Sequence, residues 1–381
     1  MPLNQWRYYL SYSQIQAMKF LIAFSCTLFL MACQKNTPTP AAPSPSSGPV
    51  SLYFPPVSSS VWQTTTVTSL GWNETALNGV YSYLQQKNTK AFIILKNGRI
   101  IAERYFGTFA ADSNWYWASA GKTATALLVG IAQQEGLLNI NNKSSQYLGV
   151  GWTSLPLAKE NQITVRHQLT MTTGLDDGVT PDNDCTLPAC MLYKADAGTR
   201  WAYHNAPYTI LDKVVENATG ATYNNYFQQK IRNPIGMNGL WLSSGYNNVY
   251  YSNARSMARF GLLLLNKGKW DQTVILSDSN YFNAQVTTSQ SFNPSYGYLT
   301  WLNGKNNYML PTLQAVFPGM LAPNAPADMY AALGKNDQKV YVIPSQNLVV
   351  IRMGESAGNT QLALSSFDNE LWGKLKMVIG Y

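Results

Sequence analysis

The strand-forming segments of this sequence sit near its two ends, and a long stretch of helical periodicity separates them. That arrangement restricts the fold more than any other feature. Over 72–86 the apolar residues Leu77, Val80, Tyr81 and Leu84 recur at helical spacing. A short apolar strand follows at 91–95, Asn97-Gly98 has the composition of a tight hairpin turn, and 99–106 returns as a second strand. Toward the other end, 329–333, 339–343 and 348–353 read as strands. There 360–379 reads as an amphipathic helix with Leu362, Leu371, Leu375 and Val378 apolar. Between them lie helical runs at 118–135, 164–171, 208–218, 223–231 and 254–266, punctuated by Gly and Asn. Strands from both ends can make one antiparallel sheet, covered by the two terminal helices, with the middle as a large all-helical insert. The expected class is α/β in the α+β sense, and no repeat at a fixed period is present.

A chain of 381 residues can hold one large domain or two modest ones. Charged residues make up 12%, about half the usual share, with Tyr, Trp, Asn, Thr and Ser in their place. An exported protein fits that balance better than a cytosolic one. The net charge of +8 comes from scattered Lys and Arg. It lacks the clustered stripe of a nucleic-acid surface, so no nucleic-acid partner is expected. Met18-Lys19 precedes an apolar run over 20–30, which ends in Leu30-Met31-Ala32-Cys33. The run is too short to span a bilayer and has the layout of a signal peptide. Its ending resembles the bacterial lipoprotein signal, which would make Cys33 the lipidated first residue. Residues 1–17 then read as an upstream extension, and Gln34 points to the outer membrane. The expected location is the bacterial cell envelope, as a periplasmic lipoprotein held by its lipid.

Residues 34–60, rich in Pro, Ser, Thr and Ala, read as an extended tether. The folded domain is then 61–381, with its sheet-bearing part at 61–117 and 322–381 and its helical part at 118–321. Cys185 and Cys190 lie close together in a polar loop, and an oxidising compartment favours a disulfide between them.

Three segments carry chemistry. Ser119-Ala120-Gly121-Lys122 opens a helix and puts a hydroxyl and an ammonium on one face, nearly one turn apart. A lysine in apolar surroundings loses its proton more easily than one in water, so the pair can act as nucleophile and base. The helix N-terminus favours developing negative charge. A plain N-cap role for Ser119 is the competing reading. Tyr203-His204-Asn205 places a phenol and an amide on one side of an extended loop. A phenol with a depressed pKa beside an ammonium could relay protons, and Asn205 could hold a substrate carbonyl or orient the lysine. Ala331-Ala332-Leu333-Gly334-Lys335 offers a glycine where backbone or substrate can approach closely, and an amide that could pair with that of Ser119 as an oxyanion hole.

In this order the segments resemble the serine β-lactamase and penicillin-binding-protein superfamily, on the side of the class C β-lactamases, esterases and aminohexanoate-dimer hydrolases. Ser119-x-x-Lys122 and Tyr203-x-Asn205 match its first two motifs. The segments Ile163 through Leu175 and Pro234-Ile235-Gly236-Met237 are similar to other recurrent ones. The resemblance covers roughly 70–381. It implies a β-lactamase/transpeptidase-like fold and an acyl-enzyme on Ser119. Lys122 would be the base partner and Tyr203 would share proton transfer. Asn205 and Gly334 would serve substrate binding, and the amides of Ser119 and Lys335 the oxyanion hole. Whether Lys122 or Tyr203 takes the serine proton stays open.

One departure bears on substrate. The third motif of the superfamily begins with Lys or His, and here that place is Ala332, followed by Leu333 and Gly334. The missing cation usually helps bind a substrate carboxylate. Its loss favours an ester or amide substrate over a β-lactam or a peptidoglycan-type peptide. By strand alternation the Lys335 side chain should point to the other face. A D,D-peptidase, a β-lactamase and a non-catalytic envelope binding protein remain the alternatives. His167 reads as structural, and His204 should point away from the site. There is no Gly-x-Ser-x-Gly elbow. Two histidines and no cysteine cluster argue against zinc, and Asp182-Asn183-Asp184 reads as a polar turn rather than a calcium loop. Neither metal nor cofactor is expected. Trp115 and Trp117 could line the pocket mouth.

Overall fold

The structure is a computed structural model and describes residues 51–179, 182–358 and 363–381. The signal segment with Cys33, most of the expected tether, and positions 360–362 of the expected C-terminal helix lie outside the described residues.

Helix α1 (Glu74–Gln86) starts where the Asn73 side chain accepts from the Ala76 amide, and it buries Leu77, Val80, Tyr83 and Leu84. Strands β1 (Thr89–Lys96) and β2 (Arg99–Tyr105) form a hairpin. Asn97 and Gly98 both take positive φ at its turn, 50° and 78°, as a two-residue turn of this hand requires. After β3 (Trp115–Tyr116), a 3₁₀ turn at Ala118–Ala120 runs into α2 (Gly121–Gln134). The middle of the chain supplies α3 (Asn205–Thr209), α4 (Leu211–Thr219), β4 (Leu240–Ser244), β5 (Asn247–Ser252), α5 (Ala254–Leu265) and β6 (Trp301–Leu302). Strands β7 (Tyr330–Gly334), β8 (Gln338–Ile343) and β9 (Leu348–Gly354) precede α6 (Ser366–Ile379). Helix α6 begins later than expected because Ser365 and Asp368 form a capping box there.

The main sheet has six strands in the order β2-β1-β9-β8-β7-β6. Every neighbouring pair is antiparallel. Its central join is between chain ends: Ile93 of β1 faces Ile351 of β9. Strands β8 and β9 are buried along their whole length. The reason is cover on both faces. Gly261 of α5 sits so close to Val340 and Val349 that a Cβ there would meet Val349 Cγ1 at 2.5 Å. The next residue along β8, Tyr341, points to the opposite face and meets Trp372 of α6 edge-on, with ring centroids 5.6 Å apart. Such strands read as continuous apolar runs, which is why the sequence marks them well.

Two expectations need correction. The insert is not all-helical: β4 and β5 lie in it and form a three-stranded sheet with β3, which precedes it. The segments Leu-Trp-Leu-Ser-Ser and Asn-Asn-Val-Tyr-Tyr-Ser bury Trp241 and Tyr250 but leave Leu240 and Leu242 exposed. Their alternation is therefore weak. The stretch read as tether also reaches the fold before residue 61. Leu52, Tyr53 and Phe54 pack on the core, and the Arg259 guanidinium donates to the Pro56 and Ser59 carbonyls at 2.9 and 3.1 Å. No helix among the described residues is long and apolar enough to cross a membrane.

Candidate active site

The approach to Ser119 is anchored before the helix begins. Trp117 is fully buried, its amide donates to the Tyr250 carbonyl at 2.8 Å, and its indole donates to Ser252 Oγ at 2.8 Å. Trp117 is thus core rather than pocket mouth. Trp115 is half-buried and donates to the Gly354 carbonyl, away from the cavity. Ala118 then takes φ 48°, a left-handed conformation that costs an L-residue about 1–2 kcal/mol. The chain turns there and presents Ser119 at the head of α2. Gly334, at the end of β7, lies against the same backbone: a Cβ on it would stand 2.4 Å from the Trp117 carbonyl oxygen and 3.0 Å from the Ala120 nitrogen. Only a glycine lets β7 come this close to the turn that carries Ser119.

Ser119 and Lys122 meet as their spacing suggests. Lys122 Nζ donates to Ser119 Oγ at 3.1 Å. The ammonium is otherwise surrounded by rings, 4.0 Å from the centroid of Tyr208 and 5.2 Å from that of Tyr203. Burial pushes the Lys122 pKa down to about 7, against the opposing pull of the Asp184 and Asp212 carboxylates. Lys122 is therefore substantially neutral near pH 7, with a lone pair that can accept a proton.

Tyr203 stacks on Trp301, centroids 5.9 Å apart, and meets Tyr296 edge-on. Its hydroxyl faces Ser119 but makes no well-formed hydrogen bond among the described residues. The expected depression of this phenol is reversed. Burial dominates and raises its pKa, the nearness of Ser119 only partly offsetting it. That burial favours the protonated phenol. Asn205 heads α3 and does not lie in an extended loop. Its Nδ2 donates to Asp184 Oδ1 at 2.8 Å, and its buried Oδ1 has no partner among the described residues.

Ser119, Lys122, Asn205 and Lys335 share one cavity of about 270 Å³. Lys335 lines it after all, because the strand ends at Gly334 and the residue falls in the turn Lys335–Asp337, where strand alternation no longer applies. That turn is held by Arg352, which donates to the Asn336 and Asp337 carbonyls at 2.9 and 3.0 Å. Ala332 is fully buried in β7. The cavity also takes in Asp184, Tyr208, Asn247 and Asn248, none of which the sequence marked. Asp184 directly precedes Cys185, whose sulfur is bonded to that of Cys190. A carboxylate beside a short tethered loop was the one available signal.

Both histidines are accounted for elsewhere. His167 Nδ1 accepts from the Thr164 amide at 3.1 Å in a capping box. His204 is buried, and that burial drops its pKa to about 4. No group of three or more His, Cys, Asp or Glu side chains that could hold a metal occurs among the described residues.

The Beta-lactamase family model matches residues 84–369. This chain belongs to the Beta-lactamase family. An uncharacterized protein of Alkalihalophilus pseudofirmus is 24% identical over 309 residues, which are 70% of this chain and 84% of that one. Among solved structures, a candidate β-lactamase from Bacteroides dorei superposes with a TM-score of 0.63 at 16% identity, covering 81% of this chain and 100% of its own. A candidate 6-aminohexanoate-dimer hydrolase from Bacillus anthracis gives 0.60 at 19% identity, covering 78% and 80%. At such identities these structures speak to the fold alone. The family match agrees with the fold that the motif resemblance implied, and it supports a hydrolase of the β-lactamase fold.

Proposed function

We propose that this protein is a serine hydrolase that forms an acyl-enzyme on Ser119 with an ester or amide substrate. One observation carries the reading: a buried lysine with a pKa near 7 hydrogen-bonded to a serine at a helix head. Neutral Lys122 takes the Oγ proton as Oγ bonds to the substrate carbonyl carbon. The oxyanion that forms is met by the amides of Ser119 and Lys335; in support, both residues line the cavity and Gly334 lies against the turn that carries Ser119. As the carbon–leaving-group bond breaks, the Tyr203 hydroxyl passes a proton to the departing oxygen or nitrogen and recovers one from Lys122. Water then attacks the acyl carbon by the reverse relay, releasing the acid and restoring Oγ–H. The high pKa of Tyr203 suits a proton conduit and disfavours a phenolate base, so the base role falls to Lys122. Asn205, with a free carbonyl oxygen, is placed to hold a substrate N–H.

The buried methyl of Ala332 supports esters or amides over carboxylate-tailed β-lactams and stem peptides. An envelope location through a lipid on Cys33 belongs to the same proposal. A fluorophosphonate is expected to label the protein at Ser119, and Ser119→Ala to abolish labelling and turnover. Undiminished labelling of Ser119→Ala would overturn the assignment. A short-chain aryl ester assayed beside a chromogenic cephalosporin is expected to turn over faster.

A further inference from the structure

The hydrolytic machinery leaves part of the cavity wall unused, and that part is acidic. The Asp184 carboxylate faces the cavity that holds Ser119 and Lys122. Each of its oxygens accepts one amide N–H: Oδ1 from Asn205 Nδ2 and Oδ2 from Asn247 Nδ2, both at 2.8 Å. No Lys or Arg forms an ion pair with it among the described residues. A carboxylate can accept about four hydrogen bonds, so capacity remains. Its position is fixed from three sides, by Asn205 on α3, by Asn247 on β5, and by the Cys185–Cys190 bond that closes the loop just after it.

A second cavity, of about 500 Å³, adjoins the first and shares Asn247 and Asn248 with it. It holds another acid: Asp212 Oδ2 accepts from Asn248 Nδ2 at 2.7 Å, with Trp241 and Tyr246 on the walls. The field of both carboxylates reaches Lys122. In β7 the position that a carboxylate-binding cation would take holds Ala332, fully buried and carrying only a methyl. The exposed Lys335 is the cation at the rim, on the turn after β7.

We infer that the site takes substrates bearing a protonated amine, with the ammonium seated on Asp184 between Asn205 and Asn247. The inference rests on the hydrolase reading of the same cavity and adds the substrate class: amino-bearing esters or amides. The ammonium donates to the open lone pairs of Asp184. Lys335 repels it from the other wall, so the two charges fix one orientation. A substrate carboxylate in the same place meets like charge and is rejected.

Three para-nitrophenyl esters test this: those of para-(aminomethyl)benzoic and para-ethylbenzoic acid, which match in size and carry a cation and no charge, and that of the larger para-(carboxymethyl)benzoic acid, which carries an anion. Wild type is expected to rank them in that order by kcat/KM, the cation leading its neutral isostere by about tenfold, which is an ordinary worth for one charge-assisted contact. Asp184→Asn is expected to bring the cation-to-neutral ratio close to one, mostly through KM, and Asp184→Glu to retain a preference. A neutral ester equal to or better than the cationic one in wild type overturns the inference. So does an unchanged ratio in Asp184→Asn. If that variant does not fold, the wild-type ranking decides alone. Failure of the hydrolase reading looks different: none of the three esters turns over, and Ser119 takes no fluorophosphonate.

Discussion

Two lysines in this fold are buried to the same degree and do opposite things. Lys122 is 3% exposed and Lys339 0%. Lys339, on β8, donates to Asp368 Oδ2 at 2.8 Å and to the Ala363 carbonyl at 2.7 Å, with Asp337 Oδ1 at 3.1 Å. Asp368 in turn accepts from Tyr341 at 2.7 Å and caps α6. Lys122 has one neutral hydroxyl and two ring faces. Taking an ammonium out of water is costly, and only close anions with good geometry offset it. Lys339 has them and ties β8 to α6 and to the turn after β7. Lys122 lacks them, so its proton becomes labile near neutrality. The difference between a structural and a chemical lysine lies here in partners, not in burial.

Removing each ammonium breaks that comparison in opposite ways. Lys122→Met is expected to lower kcat/KM by about 10²–10⁴, the usual worth of a general base, while the melting temperature holds or rises. Lys339→Met leaves two buried carboxylates facing one another and is expected to cost about 3–5 kcal/mol of stability, read by denaturant unfolding. A Lys122→Met protein that unfolds as easily as Lys339→Met would erase the distinction. The sign of the pH linkage agrees. The folded-state pKa of Lys122 lies near 7, below its unfolded value of about 10.4. Between those values the unfolded chain binds the extra proton, so this group makes wild type more stable as pH rises and contributes no slope below pH 7. The stability gap in favour of Lys122→Met is expected to narrow across that window.

A sharper reading comes from the rate. With Lys122 as base, kcat/KM is expected to rise with pH and inflect near 7. Asp184 holds the proton on Lys122, so Asp184→Asn is expected to move that inflection to lower pH. An acidic limb that stays in place, or moves up, would separate the limb from Lys122.

These opposite lysines also mark what the sequence can and cannot say. The terminal strands were legible because sheets covered on both faces leave continuous apolar runs, as in Phe92-Ile93-Ile94-Leu95. Ser119, Lys122, Tyr203, Asn205 and Gly334 were legible because each belongs to a short local motif. Asp184, Tyr208, Asn247 and Asn248 were not, since they come from separate segments and meet only in the folded chain. The Tyr203 pKa was misjudged for a related reason. Its direction is set by Trp301 and Tyr296, about a hundred residues downstream, and no local pattern reports that burial.

The smallest expected effect concerns Asp212. Burial raises its pKa to about 7, with the Asn248 hydrogen bond pulling the other way. Asp212 therefore titrates in the same range as Lys122, and the two influence each other's proton. Near pH 7 it carries only part of a charge, so it stabilises the Lys122 ammonium less than a fully ionised acid at the same distance would. Asp212→Asn is expected to lower the inflection of the acidic limb, but by less than Asp184→Asn does, and by less than about one unit, which corresponds to about 1.4 kcal/mol. The limb is also expected to steepen, because a single group then titrates where two coupled ones did. If Asp212→Asn shifts the limb further than Asp184→Asn, the acid that governs Lys122 lies in the second cavity, and the order of the two carboxylates must be exchanged.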